Sequence, residues 1–157
     1  SDLYWGTIMY ITNSKYMPTG IAYRPSFKCL PLKGRVQLTR ADRIGVERLL
    51  SLGLTEECPN PTLIEGFLRH KLRMARPAPE LTPANLVVAG RLVSFMVNGG
   101  KARSGMLTLV PGDDAGCISV TSFLGATMLG MQKLQKAPLL REDGWIDTLV
   151  VLDVCGA

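Results

Sequence analysis

The chain has 157 residues, 46% hydrophobic and 20% charged, and its 18 Lys and Arg against 13 Asp and Glu give a formal charge of +5 with a single histidine. That length is about one domain, able to bury roughly two-thirds of the surface of its unfolded chain without disulfide or structural metal, and the composition excludes disorder over the whole chain. No apolar run approaches the roughly 18 residues of a membrane span, and residues 1–12 lack a basic stretch followed by an apolar one, so the expectation is a soluble, cytoplasmic protein with no membrane partner.

Taken in chain order, residues 1–37 read as an N-terminal arm. Leu3 to Ile11 is rich in aromatic and β-branched residues and fits an edge strand, while Pro18, Gly20, Pro25, Pro31 and Gly34 interrupt the rest of the arm. The arm is either such a strand with a meandering tail or sequence upstream of the domain.

Residues 38–76 predict a short antiparallel helical hairpin. Thr39 is placed to cap a helix, and Asp42, three residues on, can answer it in a capping-box exchange. Ala41, Ile44, Val46, Leu49, Leu50 and Leu52 supply an apolar stripe, and Gly53 ends it. Asn60 is a good N-cap with Pro61 at the favoured first helical position. Ile64, Phe67, Leu68 and Leu72 then recur at helical spacing. Each helix is near 14 residues, or roughly 21 Å at 1.5 Å per residue. Pro77, Pro79 and Pro83 cannot continue the second helix, which makes 77–85 a linker.

Residues 86–157 predict a compact antiparallel sheet with one packed helix, giving an α+β chain. The apolar run from Leu86 to Val97 opens it, Asn98-Gly99 signals a hairpin, and Ser104 to Val110 returns as partner strand. A polar loop leads to a strand at Cys117 to Val120. Ser122 then caps a helix running to Met131, and strands near Ala137 to Leu140 and from Trp145 to Val154 close the chain.

The charge is unevenly placed. Residues 1–34 carry four bases and one acid, 35–80 eight and six, and 81–157 six of each. The excess therefore lies in the first half, densest at Arg69, Lys71, Arg73 and Arg76 around His70, a basic patch suited to nucleic acid or an acidic protein surface, or else a helix end whose cations meet the macrodipole. Cys29, Cys58, Cys117 and Cys155 have no C-x-x-C spacing and read as reduced thiols; no metal or cofactor is expected. Phosphate-loop, dinucleotide and nucleophile-elbow patterns are absent.

The segment Cys117-Ile118-Ser119-Val120-Thr121-Ser122-Phe123, continued by Leu124-Gly125-Ala126-Thr127-Met128-Leu129-Gly130-Met131, resembles the strand–turn–helix of the carboxy-terminal domain of the Gre transcript-cleavage factors. It is most similar to that of their short relative Rnk, the regulator of nucleoside diphosphate kinase. The hairpin strand ending Leu107-Thr108-Leu109-Val110-Pro111, the short Pro138 strand, the final Leu149-Val150-Val151-Leu152-Asp153-Val154 and the helical hairpin from Leu38 keep the family's order, so the resemblance covers roughly residues 38–154.

The resemblance implies an FKBP-like carboxy-terminal domain that docks on the rim of the RNA polymerase secondary channel, with the helical hairpin directed toward the channel. The family's docking turn, Asp-Ser-Pro in the cleavage factors, falls on Thr121, Ser122 and Phe123, of which Ser122 alone is retained. Phe123 then offers an apolar anchor in place of the lost charge. Cleavage factors deliver acidic residues from a long hairpin tip to help hold a catalytic magnesium. Glu56 and Glu57 at the tip here have the right type, but helices of about 21 Å stop short. The expectation is thus a non-enzymatic RNA polymerase-binding regulator without transcript-cleavage stimulation, steered by Arg69, Lys71, Arg73 and Arg76. Two rivals are a basic nucleic-acid-binding module making weak direct contacts, and a peptide-binding or prolyl isomerase domain drawing on Phe95, Phe123 and Trp145.

Overall fold

Two helices with matched apolar stripes, followed by short β-rich runs punctuated by glycine turns, fold into an α+β chain. The computed structural model describes residues 36–54, 58, 60–112 and 114–156. Strand β1 (Gln37–Leu38), helices α1 (Arg40–Leu52) and α2 (Pro61–Met74) and strand β2 (Arg76–Pro77) come first. They are followed by β3 (Leu92–Val97), β4 (Arg103–Thr108), β5 (Cys117–Ser119), α3 (Phe123–Met128), β6 (Lys136–Leu140) and β7 (Ile146–Cys155). The strand read at Leu3 to Ile11 and the tip carboxylates Glu56 and Glu57 lie outside the described residues.

Thr39 caps α1 as its position requires, its Oγ1 accepting from the Asp42 amide at 3.1 Å. The Asp42 carboxylate is committed elsewhere, accepting from the Ala89 amide at 3.2 Å. Gly53 ends the helix at φ +85°, a conformation glycine adopts without a Cβ penalty. Asp42, Val46 and Leu50 form the buried stripe, whereas Ile44 and Leu52, expected on it, are 47% and 79% exposed. At 100° per residue Ile44 lies about 200° round from Val46, on the opposite face. In α2, Pro61 holds the first turn while Asn60 makes no side-chain capping bond, and Ile64 and Leu68 are fully buried.

The two helices run antiparallel: Arg43, near the start of α1, donates to the Leu72 and Ala75 carbonyls at the end of α2, at 2.8 and 3.3 Å. Beneath them β1 and β2 pair in parallel, Gln37 with Arg76 and Leu38 with Pro77. Arg76 N–H donates to Val36 and Ala78 N–H to Leu38, closing the base of the hairpin.

The five-stranded sheet has the order β5-β4-β3-β7-β6. Three of its pairings are antiparallel, but β4 and β5 pair in parallel, with Met106 opposite Cys117. The sheet is mostly antiparallel, as expected, and the parallel pair arises because the chain after Thr108 runs back along β4 before β5 begins. The long strand expected from Leu86 is shorter. Gly90 turns the chain at φ +96°, and Val87 pairs with the segment after α3, donating to Met131 and accepting from Gly130. Asn98-Gly99 forms the expected hairpin turn, both residues at positive φ of 54° and 71°.

Val93, Phe95, Leu107, Leu149 and Val151 of the sheet share one core with Met128 and Leu129 beside α3 and with Val46, Leu50, Ile64 and Leu68 of the hairpin. That arrangement requires α3 to sit tightly on the end of β5. A Cβ on Gly125 would overlap the Ser119 backbone. Gly125→Ala is therefore expected to lower folding stability by about 1–3 kcal/mol or more, read as a fall in the chemical-denaturation midpoint; an unchanged midpoint would contradict the packing described.

Candidate functional site

The turn joining β5 to α3 is built from small hydroxyl side chains that hold it from within. Ser119 Oγ lies 2.8 Å from Thr121 Oγ1 and accepts from the Thr121 amide at 3.1 Å. Ser122 Oγ donates to the Ser119 carbonyl at 2.6 Å and accepts from the Gly125 amide at 3.0 Å, which makes it the N-cap of α3. Across the chain, Cys58 Sγ donates to the Thr121 carbonyl at 3.2 Å. Thr121 is buried, Ser122 is partly buried, and Phe123 is 7% exposed within the core. The turn is where the sequence places it, but its side chains serve the fold, and Phe123 is a core residue instead of a projecting anchor.

What the turn does border is an open groove of about 550 Å³. One wall is Ser122, Phe123 and Leu124, another is Leu139 and Leu140 of β6, and the rims are Arg103 of β4 and the β6–β7 turn from Arg141 to Asp143. The Arg103 guanidinium stands over the Phe95 ring, 5.2 Å from its centroid. Arg141 is paired at home, 2.7 Å from Asp143 and 3.7 Å from Asp147. Of these groove residues only Ser122 and Phe123 carry a signal in the sequence, because the charges that matter are brought together from strands far apart in the chain.

The basic run separates into two populations. Arg69, Arg73 and Arg76 are exposed, and Arg69 pairs with Glu65 one turn back at 3.0 Å, a contact of little net value at the surface. Lys71 faces the other way. It is 7% exposed, and its Nζ donates to the carbonyls of Ala126, Thr127 and Leu129 at 2.5, 2.8 and 2.7 Å. The basic patch is corrected accordingly to the three arginines, because Lys71 falls seven residues after Ile64 and three after Leu68, on the buried face of α2. Those carbonyls belong to the last turn of α3, where a helix leaves acceptors without intrahelical donors and carries its negative dipole end. One ammonium with three N–H groups meets three such acceptors. Burial nonetheless pulls the Lys71 pKa down to about 7, since the charged form loses its water.

The same pattern occurs in milder form at Asp42, whose pKa is raised by burial, with the Ala89 amide, Thr39 and Arg91 opposing. Cys58, Cys117 and Cys155 are free thiols. Among the described residues no group of three or more His, Cys, Asp or Glu side chains comes together to hold a metal, and no helix is long and apolar enough to cross a membrane.

No family model and no curated protein matches the sequence. Among solved structures, a prokaryotic transcription elongation factor GreA/GreB from Nitrosomonas europaea aligns with a TM-score of 0.58 at 20% identity, over 79% of this chain and 100% of that one. The fold is the GreA/GreB fold. Gfh1 of Thermus aquaticus aligns with a TM-score of 0.39 at 16% identity, over 78% of this chain and 99% of that one. GreA factor homolog 1 of Thermus thermophilus aligns at 0.36 and 15%, over 78% and 99%. In this chain the groove borders the N-terminal end of α3, at Ser122, Phe123 and Leu124, and the buried lysine meets its C-terminal end.

The lysine gives a pH signature. In the unfolded chain Lys71 titrates near 10.5, and in the folded chain near 7. Between those values the unfolded state binds the extra proton, so stability rises with pH across that window, by at most about 1.4 kcal/mol per pH unit for one proton. In Lys71→Met that rise is expected to disappear. The deficit of the variant should be larger at pH 9 than at pH 7, because at pH 9 the wild-type lysine is neutral and free of its desolvation cost while the buried carbonyls of the variant still lack donors. Denaturant unfolding at pH 7 and 9 measures both; a variant as stable as wild type, with the same pH slope, would contradict the assignment.

Proposed function

We propose that this protein is a non-enzymatic regulator that binds RNA polymerase, of the Rnk type within the Gre family. The observation that carries the reading is the fold shared with the Nitrosomonas europaea GreA/GreB factor over the full length of that chain, helical hairpin first and sheet second. In this reading the sheet is the FKBP-like docking module. It sits near the rim of the secondary channel, with the groove beside Ser122 as the contact surface. The hairpin obstructs the channel or competes with other factors for it. Arg69, Arg73 and Arg76 contribute long-range attraction to an acidic polymerase surface, acting mainly on the association rate.

The hairpin is too short for a cleavage factor's task. Helices of 13 and 14 residues reach about 20 Å at 1.5 Å per residue, and α2 is held by Lys71 near its C-terminal end, with Cys58 ahead of its first turn bonded to Thr121. In this reading Glu56 and Glu57 never approach the polymerase centre.

Two assays test the reading. The protein should co-purify with a bacterial core RNA polymerase at low salt and be released as salt rises, and it should bind bare duplex DNA more weakly than polymerase. Failure to retain it on polymerase at any salt would overturn the proposal. In stalled elongation complexes it should leave the RNA length unchanged; RNA shortening that the double variant Glu56→Ala, Glu57→Ala abolishes would refute the non-cleaving assignment.

A further inference from the structure

Among the described residues, two charges of the groove beside the β5–α3 turn have no ion-pair partner. Arg103 and Glu142 are both exposed, and neither takes part in an ion pair among the described residues. Arg141 and Asp143, which flank Glu142 on the same rim, already satisfy one another. Arg103 is held in place without being neutralised, because Phe95 supplies a ring face and no counter-charge. The sheet order sets the separation. Arg103 is on β4 and Glu142 comes after β6, with β3 and β7 between. The register separates them along the sheet as well, since Arg103 lies level with Phe95 and Val151 whereas Glu142 lies past the Leu140–Ile146 pair. Leu124, Leu139 and Leu140 supply the apolar floor between them.

We propose that the groove takes one partner segment in one direction: a protein segment with an apolar side chain flanked by a carboxylate, received by Arg103, and by a cation, received by Glu142. This rests on the polymerase-binding reading and adds the chemistry and polarity of the docking segment. An oppositely charged terminus at each end explains why a groove with no net excess of either sign can still select an occupant, since the reversed orientation would set like charges together.

The test separates polarity from net charge. Core RNA polymerase is titrated with wild type, Arg103→Glu, Glu142→Lys and, as a control outside the groove, Lys101→Glu, all first shown to melt like wild type by circular dichroism. Both groove variants are expected to bind about tenfold more weakly at low salt, and Lys101→Glu within about twofold of wild type. If simple attraction to an acidic surface governs binding, Glu142→Lys will bind more tightly than wild type. That result, or an Arg103→Glu variant no weaker than Lys101→Glu, overturns the proposal and leaves polymerase binding standing. Wild-type protein that does not bind polymerase removes both.

Discussion

A single buried lysine amine and the three carbonyls around it decide how this chain is assembled. A buried amine needs partners for its N–H groups, and Lys71 finds them at the end of α3, on Ala126, Thr127 and Leu129. The same bonds satisfy helix-end acceptors that a six-residue helix cannot pair internally. Lysine and helix end each answer the other's unmet requirement, so neither α2 nor α3 is complete alone.

The consequence reaches the whole hairpin. With Cys58, just ahead of α2, bonded to Thr121 and Lys71, near the other end of α2, bonded to the C-terminal turn of α3, α2 packs on α3 and contributes Ile64 and Leu68 to the sheet's core. Asp42 adds a bond from α1 to the chain at Ala89. The hairpin is thereby part of the packed body, which limits how far it reaches. The β5–α3 turn, whose hydroxyls are consumed in holding α3, leaves recognition to the groove next to it.

Much of this is legible locally. Thr39 and Ser122 cap their helices because a hydroxyl before a helix has one geometry to adopt, and Asn98-Gly99 turns because both residues tolerate positive φ. Lys71 is deceptive because a basic run invites a surface reading, although its spacing from Ile64 and Leu68 already sets it on the apolar face. The parallel β4–β5 pair and the diversion of Val87 to Met131 depend on contacts between distant segments, which periodicity cannot encode. Arg103 and Glu142 give no signal for the same reason: 39 positions separate them in the numbering, and only the sheet order makes them two ends of one groove.

If Lys71 makes α2 and α3 one structural unit, they must open together. Native-state amide hydrogen exchange resolves this directly, since local and global openings have different free energies. Amides from Ile64 to Lys71 and from Ala126 to Leu129 are predicted to exchange through one opening of the same free energy. Exchange of the α2 amides through a distinctly easier opening, while those of α3 keep the protection of the sheet, would contradict the account.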